Sequence, residues 1–119
     1  MRGSELRPIP GFPNYRVTEE GRIWTDPRPR VKGGWMAMHE HERGYLYTKG
    51  RIDGRPVKMY AHRMVALAWL GDPPDGKTMV CHSDGNPRNN HASNLYWGDQ
   101  FDNMADRTRH GNSRAGGKW

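Results

Sequence analysis

One cysteine, two phenylalanines and an apolar share of 34% are all that this 119-residue chain has for building an interior, and each shortage excludes something. The lone thiol, Cys81, cannot close an internal disulfide and rules out any zinc site that needs two or more cysteines. No apolar run approaches transmembrane length, so no membrane partner is expected. The opening MRGSELRP holds no apolar signal segment, which sets the expectation of a cytoplasmic location. So little apolar material predicts one thin, loop-rich domain, with the five tryptophans doing much of the core filling.

Acidic residues are scarce too. Against 19 Lys/Arg stand 13 Asp/Glu, for a net charge of +6. The surplus is uneven: residues 1–60 hold 12 basic and 7 acidic side chains, a balance of +5, and residues 61–119 hold 7 and 6, a balance of +1. A protein needing cations for a polyanion in one half and carboxylates or amides around a metal in the other would be distributed this way. A basic protein with no partner would share the composition.

Along the chain, LRPIPGFPNYRVTEEGRIW (6–24) reads as a small hairpin, two short strands around a turn at Glu20-Gly21. In residues 25–34, Arg28, Arg30 and Lys32 alternate with other residues; an extended path puts them on one side, either along a phosphate backbone or in a solvated loop. Residues 35–60 read as short strands with turns near Arg43-Gly44 and at Asp53-Gly54. His39 and His41 share a strand face, but without a third partner they make a poor metal pair. Apolar residues at 61, 64, 65, 68 and 69 predict one buried helical stripe, stopped by Gly71 and Asp72-Pro73-Pro74. Within it Arg63 is a candidate for a phosphate, and His62 reads as a hydrogen-bonded structural histidine. Next come a strand, TMVCH, a polar loop, SDGNPRNNHAS, a strand, NLYW, and a helix capped by Asp99 and stopped by Gly111. On that helix Asn103, Arg107 and His110 fall along one face.

Between Val80 and Asn103 the chain places His82, Asn94 and Asn103 at steps of 12 and 9 residues on this strand, loop, strand, helix layout. With DGN, NN, NL, W and DNM at matching spacing and HRMVA upstream, it resembles the HNH endonuclease motif of homing and phage type. Pro8, Ile9, Gly11, Tyr15, Val17, Gly21 and Ile23 resemble a modular hairpin motif found beside such nucleases. The resemblance implies an α+β fold of small N-terminal antiparallel β-hairpins, a central helix and a C-terminal ββα-metal motif. Residues 1–60 are then a basic, β-rich DNA-contacting region, 61–111 the helix and nuclease motif, and 112–119 a flexible tail of one compact domain.

The function implied is metal-dependent hydrolysis of DNA phosphodiesters, by nicking or double-strand cleavage. His82 is the general base, Asn94 orients it, and Asn103 is a metal ligand on the closing helix. DNA is the expected partner, with Arg28, Arg30, Lys32, Arg63 and Arg107 as contacts; phage packaging proteins are further expected partners, the protein is a monomer or homodimer, and its setting is the host cytoplasm if phage-encoded. A catalytically weak or inactive accessory DNA-binding protein is the alternative. Homing-type members usually carry Asp, or another ligand, immediately before the base histidine, where this chain has Cys81. Cys81 then ligates a softer ion, or Asp84 or a backbone oxygen substitutes, or Cys81 is only a small buried residue.

The residue types suit the chemistry. A neutral imidazole can accept a water's proton near neutral pH once its ring is held. A divalent ion, Mg²⁺ or Mn²⁺ with Zn²⁺ or Ni²⁺ as further candidates, would relieve charge on the phosphoryl oxygens, and Asn103 supplies an amide oxygen for it.

Overall fold

The computed structural model describes residues 5–41 and 43–99. Strands in the first third are short and bury alternate residues, as a sheet with one face on a core requires. Strands β1 (Arg7–Pro8), β2 (Tyr15–Val17), β3 (Ile23–Thr25) and β4 (Gly34–Trp35) form an antiparallel sheet in that order. A second sheet joins β5 (His39–Glu40), β6 (Leu46–Ile52) and β7 (Arg55–Tyr60). Between β6 and β7 the two-residue turn Asp53-Gly54 has φ of 52° and 78°, positive at both positions as a tight hairpin between twisted strands demands, and it sets Ile52 opposite Arg55.

Helix α1 (Ala61–Val65) follows β7 directly and widens into a π-helical turn over Ala66–Leu70 that ends at Gly71. Strands β8 (Met79–His82) and β9 (Leu95–Gly98) pair antiparallel, with His82 opposite Leu95. Among the described residues the architecture is α+β: several antiparallel strands and one α-helix. The expected closing helix, with Asn103, Arg107 and His110, and the tail at 112–119 lie outside the described residues. Among the described residues no helix is long and apolar enough to cross a membrane.

Ile9, Val17, Ile23, Met59, Met64, Val65 and Leu95 fill the core, together with Tyr15. None of the four tryptophans among the described residues is fully buried, and of these Trp69 packs against the core from its edge. Trp35 is 46% exposed, and Trp24, Trp69 and Trp97 sit half-buried at the rim, where their indole N–H groups donate to Asp26 Oδ1, Val17 O and Gly71 O. An indole N–H needs a partner, which favours the margin over the interior. Hydrogen bonds tie the second sheet to its surroundings: Arg51 N donates to the buried Tyr15 hydroxyl at 2.9 Å, Thr48 Oγ1 to Ala37 O at 2.7 Å, and Arg88 to the Glu40 carboxylate.

The segment carrying Arg28, Arg30 and Lys32 is not extended. Arg28 and Val31 exchange backbone hydrogen bonds of 2.9 and 2.8 Å around a tight turn, with Pro29 at its first corner and Arg30 at φ 70°. Proline fixes the first corner, and reversal follows. The three cations therefore form no continuous row.

Candidate active site

His82 ends β8, so its backbone is fixed by the ladder to Leu95 while its side chain meets the loop that follows. Its Nε2 lies 2.9 Å from Asn90 Oδ1. An amide oxygen only accepts, so Nε2 carries the proton and Nδ1 is the lone-pair nitrogen. Asn90 is itself 3% exposed and is backed by the turn between β2 and β3. At Gly21, φ 104°, a Cβ would stand 3.1 Å from Asn90 Cβ, so the glycine lets this turn close on the asparagine. Glu19 O accepts from Ala92 N at 2.9 Å, a second tie between that turn and the loop.

Asn94 was the residue expected to orient the histidine ring; its side chain holds the loop instead. Its Nδ2 donates to Asp84 Oδ1 and to Asn89 O, both at 2.9 Å, and its Oδ1 accepts from Asp84 N at 3.1 Å. Asp84 also accepts from Asn86 N and Asn89 Nδ2, both at 2.8 Å. Short polar side chains that bond nearby backbone explain how a loop with so little apolar content keeps one shape. Burial alone would raise the Asp84 pKa, but these hydrogen bonds and the neighbouring His82 hold it below the usual carboxylate range.

Around His82 stands a box of rings that sequence reading missed. Tyr45 and His62 lie with centroids 6.1 and 5.3 Å from the His82 ring, and 5.0 Å from each other. Tyr60 follows at 5.9 Å from His62. His62 was expected to be a hydrogen-bonded structural histidine; its buried Nδ1 has no partner among the described residues. Burial, with the charges of His82 and Arg63 adding to it, pushes His62 down to about 3, so it is neutral throughout the physiological range. His82 is lowered as well, chiefly by burial and against the opposing pull of Asn90 and Asp84. Tyr45 is pushed up to about 12, again chiefly by burial. The one available signal was the aromatic and histidine density of YLY and MYAHR, which reads as strand and helix filler until the chain is folded.

The described residues do not by themselves make a metal site. Among them no group of three or more His, Cys, Asp or Glu could hold an ion. Cys81 is 1% exposed, and the Asp84 carboxylate is taken up by the loop. Several expected phosphate contacts also have internal partners. Arg28 Nη1 donates to Thr25 Oγ1 at 3.0 Å, and Arg63 Nη1 to Thr78 O at 2.9 Å. Arg30 and Lys32 are exposed on and after the turn.

Comparison with known proteins gives a consistent picture. Residues 59–105 match the family model described as HNH endonuclease. An uncharacterized HNH endonuclease of Acanthamoeba polyphaga mimivirus is 31% identical over 94 residues, 79% of this chain and 23% of the relative. The DNA endonuclease I-HmuI of Bacillus phage SP01 is 28% identical over 109 residues, 90% of this chain and 59% of the relative. A solved structure of that HNH homing endonuclease, concerned with its DNA binding and cleavage, superposes with a TM-score of 0.73 at 27% identity, covering 90% of this chain and 59% of that one. The chain thus spans from about a quarter to about three-fifths of the length of these relatives.

Proposed function

With residues 59–105 belonging to the HNH endonuclease family, we propose that this chain hydrolyses DNA phosphodiester bonds, with His82 as the general base. The observation that carries the reading is the contact between His82 Nε2 and Asn90 Oδ1 at 2.9 Å, which supports a ring held in one orientation with Nδ1 as its acceptor. Lowering by burial keeps that imidazole neutral, the form a base needs. The loop stapled by Asn94 and Asp84 supports the ring indirectly by fixing the path to Asn90. A divalent cation, Mg²⁺ or Mn²⁺, belongs to this reading: Asn103 would be its ligand, and it would relieve charge on the phosphoryl oxygens.

Supercoiled-plasmid cleavage across Mg²⁺, Mn²⁺, Ni²⁺ and Zn²⁺ tests the reading. His82→Ala should lower the rate by at least about a hundredfold and leave duplex affinity in EDTA intact, because the base acts on water and not on the duplex. Equal loss of binding would count against the role. The buried Cys81 and the engaged Asp84 favour a second reading, a DNA-binding accessory protein without turnover; duplex binding with no cleavage under any of the four metals would select it.

A further inference from the structure

Strands β6 and β7 form the longest ribbon of the described chain, and their register sorts its two faces. Thr48, Gly50 and Met59 are buried, so the intervening cross-strand pairs Tyr47 with Tyr60, Lys49 with Lys58 and Arg51 with Pro56 make the outer face. The middle pair is unfavourable as it stands. Two lysines directly opposite each other repel, and like charges at such positions destabilise a sheet. Nothing acidic lies in either strand to offset them, and among the described residues no ion pair engages Lys49, Arg51 or Lys58. Lys58 Nζ leans over the Tyr47 ring at 5.2 Å, and Arg51 Nη1 reaches only the turn carbonyl of Gly54 at 3.1 Å.

Several cations elsewhere have a carboxylate or an indole beside them. Arg16 pairs with Asp26, Lys77 with Asp99 and Arg88 with Glu40. Arg7, Arg22 and Arg63 lie over Trp69, Trp35 and Trp97. The ribbon keeps its charges without a carboxylate, and it leads to the site. Tyr60 abuts His62, which abuts His82, and the lysine pair lies two residues, about 7 Å, further out along the strands.

We propose that the outer face of the β6–β7 ribbon, through Lys49, Lys58 and Arg51, seats the phosphate backbone of duplex DNA leading into His82. This rests on the nuclease reading for the identity of the polyanion. A phosphate between the two lysines would replace their mutual repulsion with two attractions, which explains a pair that folding alone disfavours. The contact is to the backbone, so it is indifferent to sequence.

The test uses the full chain with Lys49→Thr, Lys58→Thr and Lys49→Glu, threonine being a good strand residue. Affinity for a duplex oligonucleotide is measured by fluorescence anisotropy in EDTA over a range of salt, beside the thermal midpoint. Each threonine variant should weaken binding on every duplex alike and flatten the slope of log affinity against log salt by about 0.9. The thermal midpoint should hold or rise, most in Lys49→Glu, where an attractive pair replaces a repulsive one while affinity falls further. Unchanged affinity and slope would overturn the proposal, as would affinity lost only together with thermal stability, which marks a structural lysine. Equal losses on single strands and heparin, in a parent without duplex preference, would overturn the duplex as occupant. Plasmid cleavage by the parent chain is read separately: no cleavage, with duplex affinity still falling in the variants, sinks the nuclease reading and leaves the ribbon as a DNA seat.

Discussion

Asn90→Ala isolates the contact that sets the His82 ring. The amide accepts from Nε2 at 2.9 Å and its residue is 3% exposed, so truncation leaves a buried N–H unpaired at a cost of about 1–3 kcal/mol in stability. Catalytic loss has two parts. Without the acceptor the proton can move to the other ring nitrogen, and if both tautomers became equally populated that would cost only about a factor of two. The larger part is freedom of the ring to turn away from the water, bounded by the about 10²–10⁴ that a positioned general base contributes. A fall of about a hundredfold in single-turnover plasmid nicking is expected, near the lower bound because the imidazole itself remains. Duplex affinity in EDTA should not change, and Asn90→Asp, which keeps an acceptor oxygen, should recover much of the rate. An Asn90→Ala chain that is folded under assay conditions and nicks within about twofold of the parent would refute the reasoning.

Asn94→Ala removes three hydrogen bonds, two from Nδ2 and one to Oδ1; at about 1 kcal/mol each, urea unfolding should show a loss of about 3 kcal/mol, with nicking impaired through the displaced loop. Tyr15→Phe takes the acceptor from Arg51 N, so it should cost about 1 kcal/mol and speed hydrogen exchange at the Arg51 amide. His62, held at about 3 in the fold against an ordinary 6.5, stays neutral while the unfolded chain takes up a proton below pH 6.5. Its contribution is therefore whole above pH 6.5 and is lost as pH falls toward 3, at about 1.4 kcal/mol per unit. His62→Phe should flatten the dependence of urea stability on pH between 6 and 5 relative to the parent, and identical slopes would exclude His62 as the source.

The parts of the fold that show in sequence are those set by local rules. Asp53-Gly54 demands a tight turn, the 61–65 stripe demands a helix, and Gly71 ends it whether the last turns are α or π. Spacing placed His82 on a strand end, where the structure has it, and Asn94 at the start of the next strand, whereas the structure ends a short 3-10 turn over Ala92–Asn94 there and begins β9 one residue later, at Leu95. Spacing could not say which asparagine meets the ring. A strand or helix has a fixed rise per residue, but the path from Ser83 to Ala92 is set by side chains bonding backbone, and these turn it so that Asn90 points back at His82 while Asn94 is spent on Asp84 and Asn89. Tyr45 and His62 come from segments far apart in the chain, and only burial brings their rings to His82. The low apolar content misled in the same way: it pointed to tryptophan as filler, whereas isoleucine, valine and methionine suffice for so thin a core.

Charge counting fails for a related reason. The balance of +5 over residues 1–60 treats every cation as available to a polyanion, but a guanidinium beside an indole or a carbonyl has a role at home. Arg7, Arg22 and Arg63 cover tryptophan faces, and the Arg28 guanidinium donates to Thr25 Oγ1 and Asp26 O. Planar guanidinium groups suit such sites because they stack and donate in a fixed fork, whereas a lysine on a flexible stem gains little from them. The division of labour on this surface follows that difference: three arginines lie over tryptophan rings, and the opposed lysines of the β6–β7 ribbon have no carboxylate partner among the described residues, Lys58 only leaning over the Tyr47 ring. A net charge therefore overstates the cations free to bind, and the pair that looks worst for folding is the one that a bound phosphate would relieve.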